Sequence, residues 1–261
     1  MTAMDLTILC LTAAVGAGIN AVAGGGTLLT FPALIGILSK HYEPDVAKVW
    51  ANGTSTVALF PATLAASWGL RREFVVYGHW AKKLIPPSIV GGVLGTLLVT
   101  EFPEKVFAAL VPYLILMAAS LFALQPVIAR TMGIGKAHEE PHGRTVVGVF
   151  IFQFIVGIYG GYFGAGIGIL MLSALAMMGM SDIHGMNALK GLLAGCVNGA
   201  SVAVWLVRGK IEWRLAVPMA IAGCIGAFLA ATYSRKLPKP LIRWFVICVG
   251  FVLAAYYFLS G

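Results

Sequence analysis

The chain has 261 residues, of which 59% are hydrophobic and only 11% are charged. A soluble domain carries about 25% charged residues because its surface faces water, so the composition excludes an ordinary soluble fold. The formal net charge of +8 would suit a nucleic-acid binder, but the basic residues stand in short gaps between apolar runs. That pattern is typical of membrane-protein loops, and no nucleic-acid partner is expected.

Charged residues, prolines and glycines divide the chain into apolar segments that are predicted to be helices. Eight segments are long enough to cross a hydrocarbon layer roughly 30 Å thick. They are residues 5–22, 46–68, 79–100, 105–124, 145–162, 184–207, 213–233 and 240–259. Two more, 26–38 and 166–179, are too short to cross alone, and each follows a glycine cluster. The sequence therefore predicts an all-α polytopic membrane protein.

The two ends of the chain are related in sequence, which indicates an internal duplication. GAGINAVAGGGTLLTFPAL, from Gly16, aligns with GIYGGYFGAGIGILMLSAL, from Gly157. The polar stretch between the two copies predicts an exposed linker. The chain is accordingly divided into a first membrane repeat (1–125), a cytoplasmic linker (126–144) and a second membrane repeat (145–261). Each repeat is predicted to hold about four long spans and one short broken or re-entrant helix.

The distribution of Lys and Arg predicts that the two repeats are inverted. If each short segment turns back to the side where the preceding span began, the basic residues divide twelve to six between the two sides. A parallel arrangement divides them ten to eight. Cytoplasmic loops are enriched in Lys and Arg, which favours inversion. Both termini are then expected outside the cell and the linker inside.

The two glycine clusters indicate where a binding site lies. Gly24, Gly25 and Gly26 precede the first short segment, and the second half repeats the feature from Gly160 to Gly168. Unwound backbone at membrane depth is tolerated only where it is buried in protein or faces a wet cavity. Corresponding breaks in two halves therefore suggest a transporter site, in which helix N-termini point N–H groups at an anion. The alternative is that the glycines merely allow close helix packing.

Polar side chains beside the breaks complete the candidate substrate-binding set. Amides and hydroxyls can hydrogen-bond an oxyanion, and Lys190 adds a positive charge. Interhelical hydrogen bonding is the alternative role for these residues, and Lys190 could instead reach the membrane interface. The set comprises Asn20, Gly24, Gly25, Gly26, Thr27, Asn52, Thr54, Ser55, Gly164, Gly166, Gly168, Asn187, Lys190 and Asn198.

No motif for catalysis or for ATP binding is evident in the sequence. The patterns GxSxG, HExxH and GxxxxGK[ST] are missing, so we expect no enzyme activity, no cofactor and no metal site. Several tryptophans flank the predicted spans and are interpreted as a belt at the membrane interface. They are Trp68, Trp80, Trp205, Trp213 and Trp244.

Taken in order, the motifs resemble the sulfite exporter TauE/SafE family of bacterial membrane transporters. They are Gly24-Gly25-Gly26, Asn52-Gly53-Thr54-Ser55, Gly164-Ala165-Gly166, Asn187-Ala188-Leu189-Lys190 and the turn Gly209-Lys210-Ile211-Glu212-Trp213. The resemblance implies a plasma-membrane carrier of small sulfur oxyanions or organosulfonates, such as sulfite. The second break departs from the first, since it reads Gly-Ala-Gly and lacks a counterpart of Asn20.

We therefore expect a secondary transporter that exports small anions by alternating access across the plasma membrane. An anion channel and a non-transporting membrane scaffold subunit are the alternatives. The expected partners are a small anionic solute and the lipid bilayer. The sequence leaves open the identity of the anion, the direction of transport, the coupling ion and assembly into a homo-oligomer.

Overall fold

The computed structural model describes residues 2–22, 25–69, 73–131, 144–178, 180, 182–233 and 239–260. These residues form ten α-helices and no strand. The helices are α1 (Ala3–Val22), α2 (Thr27–Leu38), α3 (Pro44–Gly69), α4 (Glu73–Glu101), α5 (Glu104–Thr131), α6 (Arg144–Tyr162), α7 (Ile167–Met177), α8 (Ile183–Arg208), α9 (Trp213–Tyr233) and α10 (Lys239–Ser260). The all-α prediction is confirmed, and α2 and α7 are the two short segments.

Five of the described helices are long and apolar enough to cross a membrane, judged by length and composition. Their qualifying stretches are Ala3–Ala21, Gly78–Glu101, Glu104–Thr131, Gly185–Arg208 and Trp213–Ala230. Four further apolar stretches are shorter, at Thr27–Leu38, Val146–Tyr162, Ile167–Met177 and Arg243–Leu259. The predicted span 46–68 forms α3, which is not among these stretches. The architecture is that of a polytopic membrane protein.

The helices pack as two bundles that exchange one helix between the sequence halves. The first bundle contains α1, α2, α3 and α9, and the second contains α6, α7, α8 and α4. Helices α1, α2 and α3 of the first bundle correspond to α6, α7 and α8 of the second, and α9 corresponds to α4. The members of each pair are five helices apart along the chain. α5 packs on α10, and α3 meets α8 along the seam between the bundles. The packing therefore repeats between two five-helix halves.

Glycines allow the closest helix contacts inside each bundle. A Cβ on Gly95 of α4 would overlap the carbonyl oxygen of Ile158, and one on Gly161 of α6 would overlap that of Gly92. In the first bundle a Cβ on Gly226 of α9 would overlap the carbonyl of Ala14. Backbone approach of this kind is typical of small-residue interfaces in membranes. Within the second glycine cluster, α6 continues to Tyr162, so Gly160 and Gly161 are helical and Gly161 serves packing.

Each short helix lies in the core of one bundle. Leu28, Phe31 and Leu34 of α2 belong to one buried cluster, and Met171 and Leu175 of α7 belong to another. A helix that is apolar all round is stable only when it is surrounded. The short helices are thus enclosed by the longer ones, which positions the breaks that precede them inside the protein.

Contacts between connections show that α1 and α2 begin and end on one face. Lys40 Nζ, just after α2, lies 2.8 Å from Oδ1 of Asp5 in the first turn of α1. The same connection reaches the start of α9, where the Tyr42 hydroxyl donates to Oε2 of Glu212 at 3.2 Å.

Two more ion pairs extend this face. Lys210 Nζ lies 2.9 Å from Glu104 Oε1, and Arg208 pairs with Glu101. The start of α1 and the α2–α3, α4–α5 and α8–α9 connections therefore lie together. We name this the terminal face. Every ion pair found among the described residues lies on it.

Candidate functional site

The first break is shaped by close backbone packing. α1 ends at Val22 and α2 begins at Thr27; Ala23 and the predicted site residue Gly24 lie outside the described residues. Gly26 has helical dihedral angles, φ −58° and ψ −35°. A Cβ on Gly26 would overlap the carbonyl oxygen of Gly16 in α1. Glycine is required there because the two backbones touch, not because of an unusual conformation.

The second break is a turn that uses left-handed glycines. Gly164 and Gly166 have φ of +81° and +79°, a region that other L-residues enter only at a cost. The Tyr159 hydroxyl donates to the carbonyl oxygen of Ala165 at 2.5 Å and holds the turn against α6. α7 then begins at Ile167, and the N–H groups of Ile167 and Ile169 donate to the carbonyl oxygens of Gly164 and Gly166 at 3.5 and 3.1 Å.

The two breaks both reach one aromatic ring, that of Phe122 in α5. A Cβ on Gly25 would lie 2.6 Å from the Phe122 Cζ, and one on Gly166 would lie 3.7 Å from its Cε2. Phe122 is fully buried. The residues before the two short helices therefore lie close together in the interior.

One turn of α3 is hydrogen-bonded to three other elements. Asn52 Nδ2 donates to the carbonyl oxygen of Tyr162 at 2.9 Å, at the end of α6. The Thr54 hydroxyl accepts from the backbone N–H of Glu212 at 3.0 Å. Ser55 Oγ lies 2.6 Å from Thr30 Oγ1 in α2. Asn52 and Ser55 are thus brought to the breaks, whereas Thr54 contacts the α8–α9 connection of the terminal face, and protein groups bind all three.

Lys190 places a cation against the start of α7. Its Nζ donates to Asn187 Oδ1 at 2.9 Å. A Cβ on Gly168, in the first turn of α7, would lie 3.3 Å from the Lys190 Cδ. Within the described part of the chain Lys190 forms no ion pair. The ammonium group and the positive end of the α7 dipole therefore act in the same region.

A second cation lies one helical turn from the first break. Val246 of α10 packs against Gly25, with its Cγ1 3.2 Å from the position of a Cβ there. Arg243, three residues before Val246, shares its helix face. The Arg243 Nε is buried and has no hydrogen-bond partner in the described structure. Arg243 is not among the candidate site residues predicted from the sequence.

The other predicted site residues are less closely tied to the breaks. Asn20 Nδ2 lies 3.4 Å from Thr63 Oγ1, a long contact between α1 and α3. Thr27 is the first residue of α2. Asn198 lies in α8, two turns beyond Lys190. No described contact joins Asn198 to either glycine break.

Sequence reasoning missed Phe122, Tyr159 and Thr30. Phe122 has no signal in the sequence, because one phenylalanine in an apolar helix resembles any other. Thr30 stands out as a hydroxyl within the apolar short segment, and Tyr159 directly precedes the second glycine cluster. Their positions beside the breaks were the available signal.

Comparison with known proteins agrees with this architecture. The sequence profile of the family described as "Sulfite exporter TauE/SafE" matches residues 8–257. A "Probable membrane transporter protein" of Haemophilus influenzae is 28% identical over 251 residues, which cover 96% of this chain and 93% of that protein. "Probable membrane transporter protein YfcA" of Escherichia coli is 25% identical over 253 residues, covering 96% of this chain and 88% of the relative. No solved structure matches the chain.

Proposed function

Because the chain belongs to the sulfite exporter TauE/SafE family, we propose that it is a secondary transporter that exports small anions such as sulfite or organosulfonates. The site is the interior region where the two glycine breaks meet, and alternating access exposes it to each side of the membrane in turn. The protein transports its substrate and does not convert it chemically. The names of its relatives also describe membrane transporters.

The observation that carries this proposal is the cation at the start of α7. Lys190 contacts the first turn of α7 and has no carboxylate partner in the described structure. An unpaired charge inside a membrane protein is costly and is typical of a substrate or ion path. An anion placed between Lys190 and the α7 N-terminus would be stabilised by both the charge and the helix dipole.

Alternating access is supported by the path of the helices. α4 ends and α5 begins at the terminal face, so α5 ends, and α6 begins, on the opposite face. α8 ends at the terminal face, where Arg208 pairs with Glu101. α8 therefore begins on the opposite face, and α7, which precedes it, ends there. The α6–α7 pair thus leaves and returns to the opposite face, while α1–α2 leaves and returns to the terminal face. Two repeats of opposite orientation support a site that opens to each side.

The charge distribution supports an orientation. In this inverted arrangement the sequence assigns six Lys and Arg residues to the side of the terminal face and ten to the opposite side, with Lys190 and Arg243 left out because they lie in the interior. Cytoplasmic segments are rich in these residues, so both termini lie outside the cell. A helix N-terminus and a lysine bind any compact oxyanion, so the proposed substrates include both sulfite and small sulfonates.

Flux into proteoliposomes tests the proposal. Purified protein is reconstituted, and uptake of ³⁵S-labelled sulfite, sulfate and thiosulfate and of methanesulfonate is followed at increasing concentration. We expect saturable movement of at least one of these anions. Flux that rises linearly without saturation would indicate a channel, and protein that assembles but moves none of them would indicate a scaffold.

A further inference from the structure

We propose that the contact between Gly53 of α3 and Trp205 of α8 is a gate that closes the terminal side of the transport path. The inference rests on the proposed function, because only a protein that opens to two sides in turn needs a gate. α3 belongs to the first bundle and α8 to the second, so this contact lies on the seam between them. Opening toward the terminal face has to separate these two helices.

The contact is tight because residue 53 has no side chain. A Cβ on Gly53 would lie 2.6 Å from the carbonyl oxygen of Lys210 and 2.8 Å from Cε3 of the Trp205 ring. Trp205 is fully buried. The prediction that Trp205 belongs to an interfacial belt is therefore wrong: its indole fills the seam, whereas Trp213 and Trp244 are exposed.

Neighbouring contacts hold the seam closed. Asn52, next to Gly53, donates from Nδ2 to the Tyr162 carbonyl of the second bundle at 2.9 Å. On the side toward the breaks, the rings of Phe31 and Phe163 meet edge to face with centroids 5.3 Å apart. The gate therefore lies between the terminal face and the breaks. The Asn52–Tyr162 hydrogen bond and the Phe31–Phe163 ring contact both join the two bundles.

The α8–α9 connection covers the gate from outside. The backbone N–H of Glu212 donates to Thr54, and the Tyr42 hydroxyl donates to the Glu212 side chain. Burial and the nearby Glu212 carboxylate raise the pKa of the Tyr42 hydroxyl, so it remains a protonated donor at neutral pH. Lys210 pairs with Glu104 at 2.9 Å. The connection is thus fixed over residue 53 by three independent contacts.

Two unpaired polar atoms make the closed seam less stable than a fully hydrogen-bonded one. Asn52 Oδ1 and Trp205 Nε1 are buried and have no hydrogen-bond partner in the described structure. Buried polar atoms without partners raise the free energy of the state that buries them. Opening the seam would let water bind both atoms, which offsets part of the cost of breaking the Asn52–Tyr162 hydrogen bond. A seam that only packed helices would gain nothing from opening.

Thiol labelling behind the gate measures its opening directly. Cys10, Cys196, Cys224 and Cys248 are replaced by serine, and Ser55, which is fully buried two residues beyond Gly53, is changed to cysteine. A membrane-impermeant maleimide is then applied to intact cells, where it reaches the outer face, and to inside-out vesicles. Gly53→Ala places a methyl group in the seam and should force it apart.

We expect Gly53→Ala to raise the labelling rate from the outer face by about tenfold or more, since its methyl group cannot be accommodated without separating the helices. The matched control is Gly199→Ala, also between α8 and α3, where the Cβ meets only the Phe60 ring at 3.3 Å. That variant should stay within about twofold of the parent. Equal labelling rates in the two variants would overturn the gate.

A second variant covers the case in which Gly53→Ala does not fold. Asn52→Ala removes one hydrogen bond across the seam without adding volume, and labelling should rise about two- to tenfold. Lys40→Gln breaks the Asp5–Lys40 ion pair, which lies on the terminal face but within the first bundle, and should leave labelling unchanged. No change with Asn52→Ala contradicts the gate. Labelling needs no substrate, so its outcome is independent of whether sulfite is transported.

Discussion

The two glycine breaks look alike in sequence, but they are built on different physical grounds. At the first, Gly26 has ordinary helical angles and is glycine because the Gly16 backbone lies against it. At the second, Gly164 and Gly166 adopt positive φ, and the atoms nearest to a Cβ on Gly166 would be 3.7 Å away, which is an ordinary contact. The first break is a packing joint and the second is a turn. A glycine cluster thus marks a break without revealing what its glycines do.

The breaks also differ in charge. Lys190 lies directly on the start of α7, whereas the cation nearest the first break, Arg243, is one helical turn away from its contact residue Val246. We infer that the second break binds the anion and that the first mainly shapes the cavity. Substitutions at the first break should then affect folding, and substitutions near the second should affect transport.

The largest expected effect is that of Gly26→Ala. Its methyl group would overlap a backbone carbonyl that cannot move aside, so we expect a loss of about 3 kcal/mol of stability or failure to fold. Thermal unfolding in detergent measures this. The control is Gly36→Ala in the same helix, where nothing lies within 4 Å of the added methyl. An unfolding temperature for Gly26→Ala that equals the Gly36→Ala value would refute the packing joint.

Lys190→Met is expected to change transport without changing the fold. A hydrogen bond to a charged group contributes about 1.5–3 kcal/mol, so the half-saturating sulfite concentration should rise about 10- to 100-fold. Lys82→Met, at an exposed position of α4, removes a cation outside the site and should leave that concentration unchanged. If both variants behave alike, Lys190 is not part of the site.

Gly166→Ala should have an intermediate effect on stability. The space around residue 166 admits a methyl group, so the cost is the backbone strain of a positive φ, about 1–2 kcal/mol. Asn tolerates this conformation better than Ala, and Gly166→Asn should recover part of the loss. Equal unfolding temperatures for the Ala and Asn variants would show that strain at this turn is not what limits stability.

Gly168→Ala is expected to have the smallest effect. Its methyl group would meet only the flexible Lys190 chain, at 3.3 Å, so stability should change by less than about 1 kcal/mol. The half-saturating sulfite concentration should rise only about two- to fivefold, because Lys190 is displaced slightly and not removed. A loss of transport as large as that in Lys190→Met would mean that Gly168 itself contacts the anion.

Much of the fold could be predicted from the sequence. Apolar stretches of about 20 residues can hardly be anything but membrane helices, and Pro or charged residues mark most of their ends. The short segments after Gly26 and Gly166 could be recognised because their length is too small for a crossing. Asn52 and Lys190 could be identified because burying a polar side chain in an apolar helix costs free energy, so such a residue usually has a structural or functional role.

What could not be predicted depends on contacts between distant segments. Gly161 and Gly166 lie in one cluster, yet only the structure shows that one packs on α4 and the other turns the chain. Trp205 lies at the end of its helix, as interfacial tryptophans do, but α3 covers it through Gly53. Phe122 has no polar atom, and its place between the breaks follows from how α5 is packed. Helical periodicity carries none of this information.

The most direct test of the anion site is a crystal structure with selenite, an electron-dense analogue of sulfite, measured at the selenium absorption edge. One anomalous peak per chain is predicted, with its oxygens about 3 Å from the Lys190 ammonium and the first N–H groups of α7. A peak bound elsewhere, for example by the basic residues of the terminal face, in protein that transports sulfite would contradict the account.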